Sequence, residues 1–143
     1  MFDIQVFPYQ SIAGKEESAL AGLFTAAPPR RAARGRESDQ LILLLSLQGS
    51  AALPVDAQQE MLEKVAGAYY QTRGAVTHAL KVTVDQLNEL LVARSMRLQG
   101  KGLPLFGILN AVVVHGSAVF VAHCGPTHTY VLKRDTVQVF SDD

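Results

Sequence analysis

The feature that most constrains this chain is the apolar block from Leu103 to Phe140, rich in Val and Phe and cut by short turn signals. Those signals are His115-Gly116-Ser117, Gly125-Pro126-Thr127 and Arg134-Asp135. Runs of about five to nine β-branched and aromatic residues between such turns predict a meander of antiparallel strands. Along Val119–Cys124, Val119, Val121 and His123 point one way, while Phe120, Ala122 and Cys124 point the other. Both sets are largely apolar, so a layer is expected on each side of the sheet.

The preceding segments supply part of that cover. Phe2–Phe7 alternates apolar and polar residues and stops at Pro8, which predicts a short opening strand over residues 1–8. A short helix is expected over Glu16–Phe24. Residues 26–36 hold two prolines and four arginines, and read as a solvated connector rather than an anion-binding loop. Leu41–Leu47 is a continuous apolar run ending near Gly49, as expected of a strand buried on both faces.

Two helices follow. The first is expected from Asp56 as N-cap, with Gln59 in the capping-box position and Met61, Leu62, Val65 and Tyr69 on its apolar face. Gly74 stops it. The second is expected over Ala75–Leu98, with Leu80, Val84, Leu87, Leu91 and Leu98 on one stripe and Arg94 interrupting it. A tight junction at Gly74 makes the pair an antiparallel hairpin that lies across one face of the sheet. The fold class is therefore α+β, a single layered domain with residues 37–143 as its main body.

Bulk properties exclude several roles. With 13 basic and 13 acidic side chains in 143 residues, general attraction to nucleic acid or an anionic membrane is not expected. The lone Cys124 rules out an internal disulfide and fits a reducing compartment. The N-terminus lacks the basic segment and apolar run of a signal peptide, and no apolar run approaches the length of a membrane span. A cytoplasmic protein is the expectation.

The order of elements and several local strings resemble the metal-dependent serine/threonine phosphatases of the protein phosphatase 2C family. That family reads, in outline, R-x-x-N-E-D, an apolar strand ending D-G-x-G-G, a helix pair, G-x-G-T-T, A-x-x-G-D-S-R-x-Y and T-x-D-H. The matching stretches here are Arg34–Asp39, Leu45–Ala51, Gly100–Pro104, Ala122–Tyr130 and Ser141–Asp143. Together they span about three quarters of the chain. The resemblance implies a partial α-β-β-α sandwich, with antiparallel sheets and one antiparallel pair of long helices.

The departures bear on function. The family uses manganese or magnesium held by carboxylates, with a metal-bound water attacking phosphorus. Its early metal-binding Glu falls on Ser38 and its central bridging Asp on Gln48, while Asp39 and Gly49 survive. Two lost carboxylates remove most of the attraction for a dication. The resemblance places Arg34 where the family binds substrate phosphate, and arginine suits that task. The expectation is a phosphatase-like module without catalysis or cofactor, acting through protein contact, as a homodimer or with another protein covering the open sheet. The alternative is a divergent manganese- or magnesium-dependent phosphatase that needs a C-terminal half or a partner chain.

Other residues invite chemistry less strongly. His115, His123, Cys124 and His128 lack the spacing of a zinc knuckle, and neighbours in a strand face opposite ways, so His123 is poorly placed to activate Cys124. Gly100-Lys101-Gly102 lacks the remainder of a phosphate loop, and Tyr69 and Tyr70 read as core and rim.

Overall fold

A computed structural model describes residues 3–17, 21–49, 53–97 and 105–141. Its centre is an antiparallel sheet of four strands in the order β3(Leu23–Ala26), β4(Gln40–Gln48), β5(Phe106–His115), β6(Ala118–Cys124). Helices α1(Val55–Gln71) and α2(Val76–Arg97) pack together across one face. Two small ribbons lie outside this sheet: β1(Gln10–Ile12) with β2(Lys15–Glu17), and β7(His128–Lys133) with β8(Thr136–Ser141). The fold is mixed α+β with antiparallel sheets and one pair of long helices.

Strand register divides the sheet into two unlike faces. Leu41 pairs with Val113, Leu43 with Ala111 and Leu45 with Leu109, and all six side chains are buried under the helices. Met61, Leu62, Val65 and Tyr69 of α1 and Leu80, Leu87 and Leu91 of α2 complete this core. Helical spacing in the sequence therefore found the correct faces. The other face carries Ile42, Leu44 and Ser46, then Ile108, Asn110, Val112 and Val114, then Val119, Val121 and His123. None of these residues is buried, and Leu44 and Val119 are exposed.

The apolar run at Leu41–Leu47 is accordingly a strand buried on one face, not two. The expected cover on both sides of Val119–Cys124 is likewise present only on the helix side, where Phe120 and Ala122 join the core. The Leu103–Phe140 block splits: β5 and β6 belong to the central sheet, while β7 and β8 form a separate ribbon. The turns fall where the sequence puts them, at Gly116-Ser117, Gly125-Pro126 and Arg134-Asp135. Asn110 holds the root of the ribbon over the open face. It donates to Thr127 Oγ1 at 2.5 Å, and its Oδ1 accepts from the Thr129 hydroxyl at 3.2 Å.

Local expectations fail where no tertiary partner supports them. Residues 3–9 form no strand, and Phe7 stands 83% exposed; alternation alone cannot make a strand without a neighbour to pair with. The helix expected over Glu16–Phe24 is replaced by β2 and β3, with residues 18–20 outside the described set. Helix α1 starts one residue before Asp56, with Pro54 as N-cap and no side-chain capping bond. It ends at Gln71, and the turn into α2 passes through Gly74 at φ +96°, a conformation that favours glycine. Leu98 and the Gly100–Gly102 string lie outside the described residues.

Candidate functional site

Residues 29–39 form no connector in the loose sense. Successive turns bond Ala32 N to Pro29 O, Arg36 N to Ala33 O and Asp39 N to Arg36 O. Ala33 N also donates to Tyr70 O at 2.7 Å, and Gln71 Nε2 donates to Arg31 O at 3.3 Å. The segment is thus fastened to the C-terminal end of α1. Its arginines remain outside: Arg30, Arg31 and Arg34 are exposed, and Arg36 alone is buried.

Arg36 and Asp39 form a buried ion pair at 3.0 Å, with side chains 1% and 0% exposed. Desolvating two charges is costly, so such a pair persists only when the remaining donors and acceptors are met. They largely are. Arg36 Nη1 also donates to Gly35 O at 3.0 Å, Nη2 donates to Gly74 O in the interhelix turn, and the guanidinium lies 5.3 Å from the centre of the Tyr69 ring. Asp39 Oδ2 accepts from the Tyr69 hydroxyl at 2.7 Å, and its Oδ1 lies 2.5 Å from His115 Nδ1. The Tyr70 hydroxyl lies 2.7 Å from Ala26 O and 2.9 Å from Asp39 O, its one proton facing both carbonyls. Five segments meet here: the end of β3, the loop before β4, the end of α1, the interhelix turn and the end of β5.

The electrostatics follow from burial. Desolvation raises the Tyr69 phenol well above its ordinary range, and the hydrogen bond to Asp39 adds to this. Tyr70 is pushed up to about 12, chiefly by burial. Glu37, by contrast, is fully exposed and held below the usual carboxylate range by backbone amides, its own and that of Gly35, which donates to Oε2 at 2.7 Å.

His115 is the outward member of the cluster, its side chain 43% exposed. An ionised carboxylate can only accept, so in the contact with Asp39 the hydrogen is on His115 Nδ1. No described serine, threonine or cysteine is bonded to it.

The positions suggested by the family resemblance do not come together. Ser38 is exposed and Asp39 buried just before β4, while Gln48 and Gly49 are exposed at its far end. Eight residues of strand separate the two pairs, so Asp39 and Gln48 stand about 30 Å apart at the usual rise per residue. Ligands of one divalent ion stand about 2.0–2.6 Å from it, so these four residues cannot share an ion. Antiparallel pairing instead sets the residues before β3 beside the far end of β4: Leu45 N donates to Gly22 O at 2.8 Å. A Cβ on Gly22 would sit 1.8 Å from Leu45 O, so the two backbones approach as closely as glycine allows. Arg34 lies at the Asp39 end, remote from Gln48. Among the described residues no cluster of three or more His, Cys, Asp or Glu side chains has metal-binding geometry.

The remaining candidates are scattered. His123 faces the open side of the sheet, Cys124 the helix side, and exposed His128 stands at the root of the outer ribbon with its ring 6.3 Å from that of Tyr130. An open cleft of about 620 Å³ is lined by Asp3, Ile4, Glu37, Ser38, Gln40 and Val114 among others, at the same end of β4 as Asp39. Asp142 and Asp143 lie outside the described residues.

The Asp39 cluster was not read from the sequence. Its partners lie 30 residues away at Tyr69 and 76 away at His115. Only the Arg36–Asp39 spacing and the adjacent tyrosines hinted at it. Searches against family models, curated proteins and solved structures found no match to the chain. No helix of the described residues is long and apolar enough to cross a membrane.

Proposed function

We propose that this chain is a non-catalytic, phosphatase-like interaction module whose open sheet face is covered by a second copy of itself or by another protein. The observation that carries the reading is the apolar surface on the side away from the helices. On the outer ribbon, Tyr130 pairs with Val139 and Leu132 with Val137, placing four large apolar side chains on one face. They are 60%, 50%, 75% and 62% exposed in that order. Thr129, on the opposite face of the ribbon, bonds Asn110 of the central sheet, so these four point away from that sheet. The open face of the central sheet is itself built from apolar, hydroxyl and amide side chains, with His123 its sole titratable group. Exposed apolar side chains grouped on one face mark an interaction site or an aggregation liability. A two-stranded ribbon is marginal by itself in water, and a partner layer would stabilise it.

The phosphatase-like description rests on the local strings and on the order of strands and helices. The runner-up, a manganese- or magnesium-dependent phosphatase completed by a missing half or partner chain, draws no support from the family positions on β4. Location in the cytoplasm is part of the proposal, and rests on the single cysteine.

Sedimentation velocity at micromolar concentration tests the self-associating form. A dimer that Leu132→Lys/Val137→Lys converts to a folded monomer supports it. A monomer that binds a hydrophobic dye, with binding lost in the same variant, supports a heterologous partner. A monomer with no dye binding defeats the reading.

A further inference from the structure

Charge in this chain is balanced in total and uneven in place. Of its 13 basic side chains, Arg30, Arg31, Arg34, Arg36 and Arg73 belong to the loop before β4 and the turn between the helices. Arg36 is consumed by Asp39. The other four are exposed, and none forms an ion pair with a described residue. Against them stands one exposed carboxylate in the loop, Glu37, whose Oε2 is already engaged by Gly35 N. Asp3 lines the cleft beside Glu37, so the local balance is four positive groups to two negative, a net of +2 in a chain of net zero.

These arginines are presented from a held frame. Arg31 is anchored through its carbonyl to Gln71, Ala33 through its amide to Tyr70, and Gly35 and Gly74 through their carbonyls to the buried Arg36 guanidinium. Arg34 is next to Gly35 and Arg73 next to Gly74, so one buried side chain fixes the backbone beside both. A fixed backbone lowers the ordering cost of binding, and guanidinium forks match carboxylates two bonds at a time.

We infer that this end of the molecule is a docking surface for a carboxylate-rich segment of a protein partner. Two features favour that partner over a lipid surface or nucleic acid. None of the exposed large apolar residues belongs to segments 28–39 or 71–78, so the patch has no anchor to insert into a bilayer. The same segments carry no exposed Phe, Tyr or Trp on which a base could stack, His78 being their one exposed ring. The inference rests on the reading of the chain as an interaction module, and names what its second surface recognises.

The experiment measures fluorescence anisotropy of a labelled decaglutamate peptide with the full chain, in parallel with oligothymidylate and phosphatidylserine vesicles. The peptide is expected to bind at low salt and to be released toward 1 M salt, where the screening length falls to about 3 Å. Arg31→Glu/Arg73→Glu is expected to weaken it by about tenfold or more. Arg30→Gln/Arg34→Gln is a second variant should the first fail to fold, and is expected to weaken binding in the same direction. Absence of peptide binding at low salt overturns the inference, as does binding that both variants leave unchanged. Oligothymidylate or vesicles that bind more tightly than the peptide and displace it also overturn it. The Leu132→Lys/Val137→Lys variant separates the two readings. Loss of self-association or dye binding with peptide binding retained belongs to the apolar face, and the converse belongs to this patch alone.

Discussion

The two ends of β4 differ more than its uniform apolar sequence suggests. At the start of the strand, Asp39 is fully buried and bonded to Arg36, Tyr69 and His115, drawing five segments together. At the other end, Gln48 and Gly49 are exposed, and the polar side chains seen there, Ser46 and Gln48, make no such network. The lesson concerns where a carboxylate is kept. The resemblance to the phosphatase family would place carboxylates at both ends, at Ser38 and at Gln48, and neither position holds one. The chain retains its carboxylate at Asp39, where an arginine balances the charge and a dication would compete with bonds already made.

That contrast can be broken most forcefully at Asp39. Asp39→Ala leaves the Arg36 guanidinium buried without its counter-charge and is expected to cost about 3–5 kcal/mol, read from denaturant melts. A loss below about 1 kcal/mol would mean that the cluster is not the clamp described here. Tyr70→Phe removes the proton facing Ala26 O and Asp39 O, and is expected to cost about 1–3 kcal/mol in the same assay.

Alkaline titration sharpens the same point. Tyr70 is pushed up to about 12 by burial, and Tyr69 is raised as well, relative to about 10 in an unfolded chain. The unfolded state therefore releases these protons first. Their contribution to stability is complete below about pH 10 and is lost as pH climbs toward 12. Tyrosinate absorbance at 295 nm should rise for these two residues only together with loss of the helical circular dichroism signal. Ionisation of both within the folded protein would contradict their burial.

The smallest effects belong to the far end. Gln48→Ala is expected to change stability by less than about 0.5 kcal/mol, as for an exposed side chain without special contacts. The Ser38→Glu/Gln48→Asp double variant places carboxylates at the two positions the resemblance suggests, yet calorimetric titration with manganese should show no shared site, because β4 holds them apart. A tight, stoichiometric manganese site in that variant would show that the register of the family resemblance on β4 is right and the geometry described here wrong.

Much of the fold was legible locally. Both helices, the strand at Leu41–Leu47 and the turns of the Leu103–Phe140 block follow from spacing and turn residues, because periodicity reports directly which side chains share a face. The failures share a cause. Phe2–Phe7 and Glu16–Phe24 carry local signals that no neighbour ratifies, and a short segment takes whatever pairing the rest of the chain offers it. The Asp39 site failed to show for the complementary reason: each of its members is unremarkable until residues tens of positions apart are brought within 3.0 Å.

What the sequence by itself determined is the inventory, namely two amphipathic helices, β-rich runs punctuated by glycine and proline, and balanced charge with a basic stretch between residues 30 and 36. What only the tertiary structure decided is how these are shared out. It assigned one face of the sheet to the helices and left the other open, separated the last two strands into their own ribbon, and buried one of the five arginines at one end while leaving four outside. Those outcomes depend on strand register and on contacts across long separations, and neither is encoded in the local pattern of any one segment.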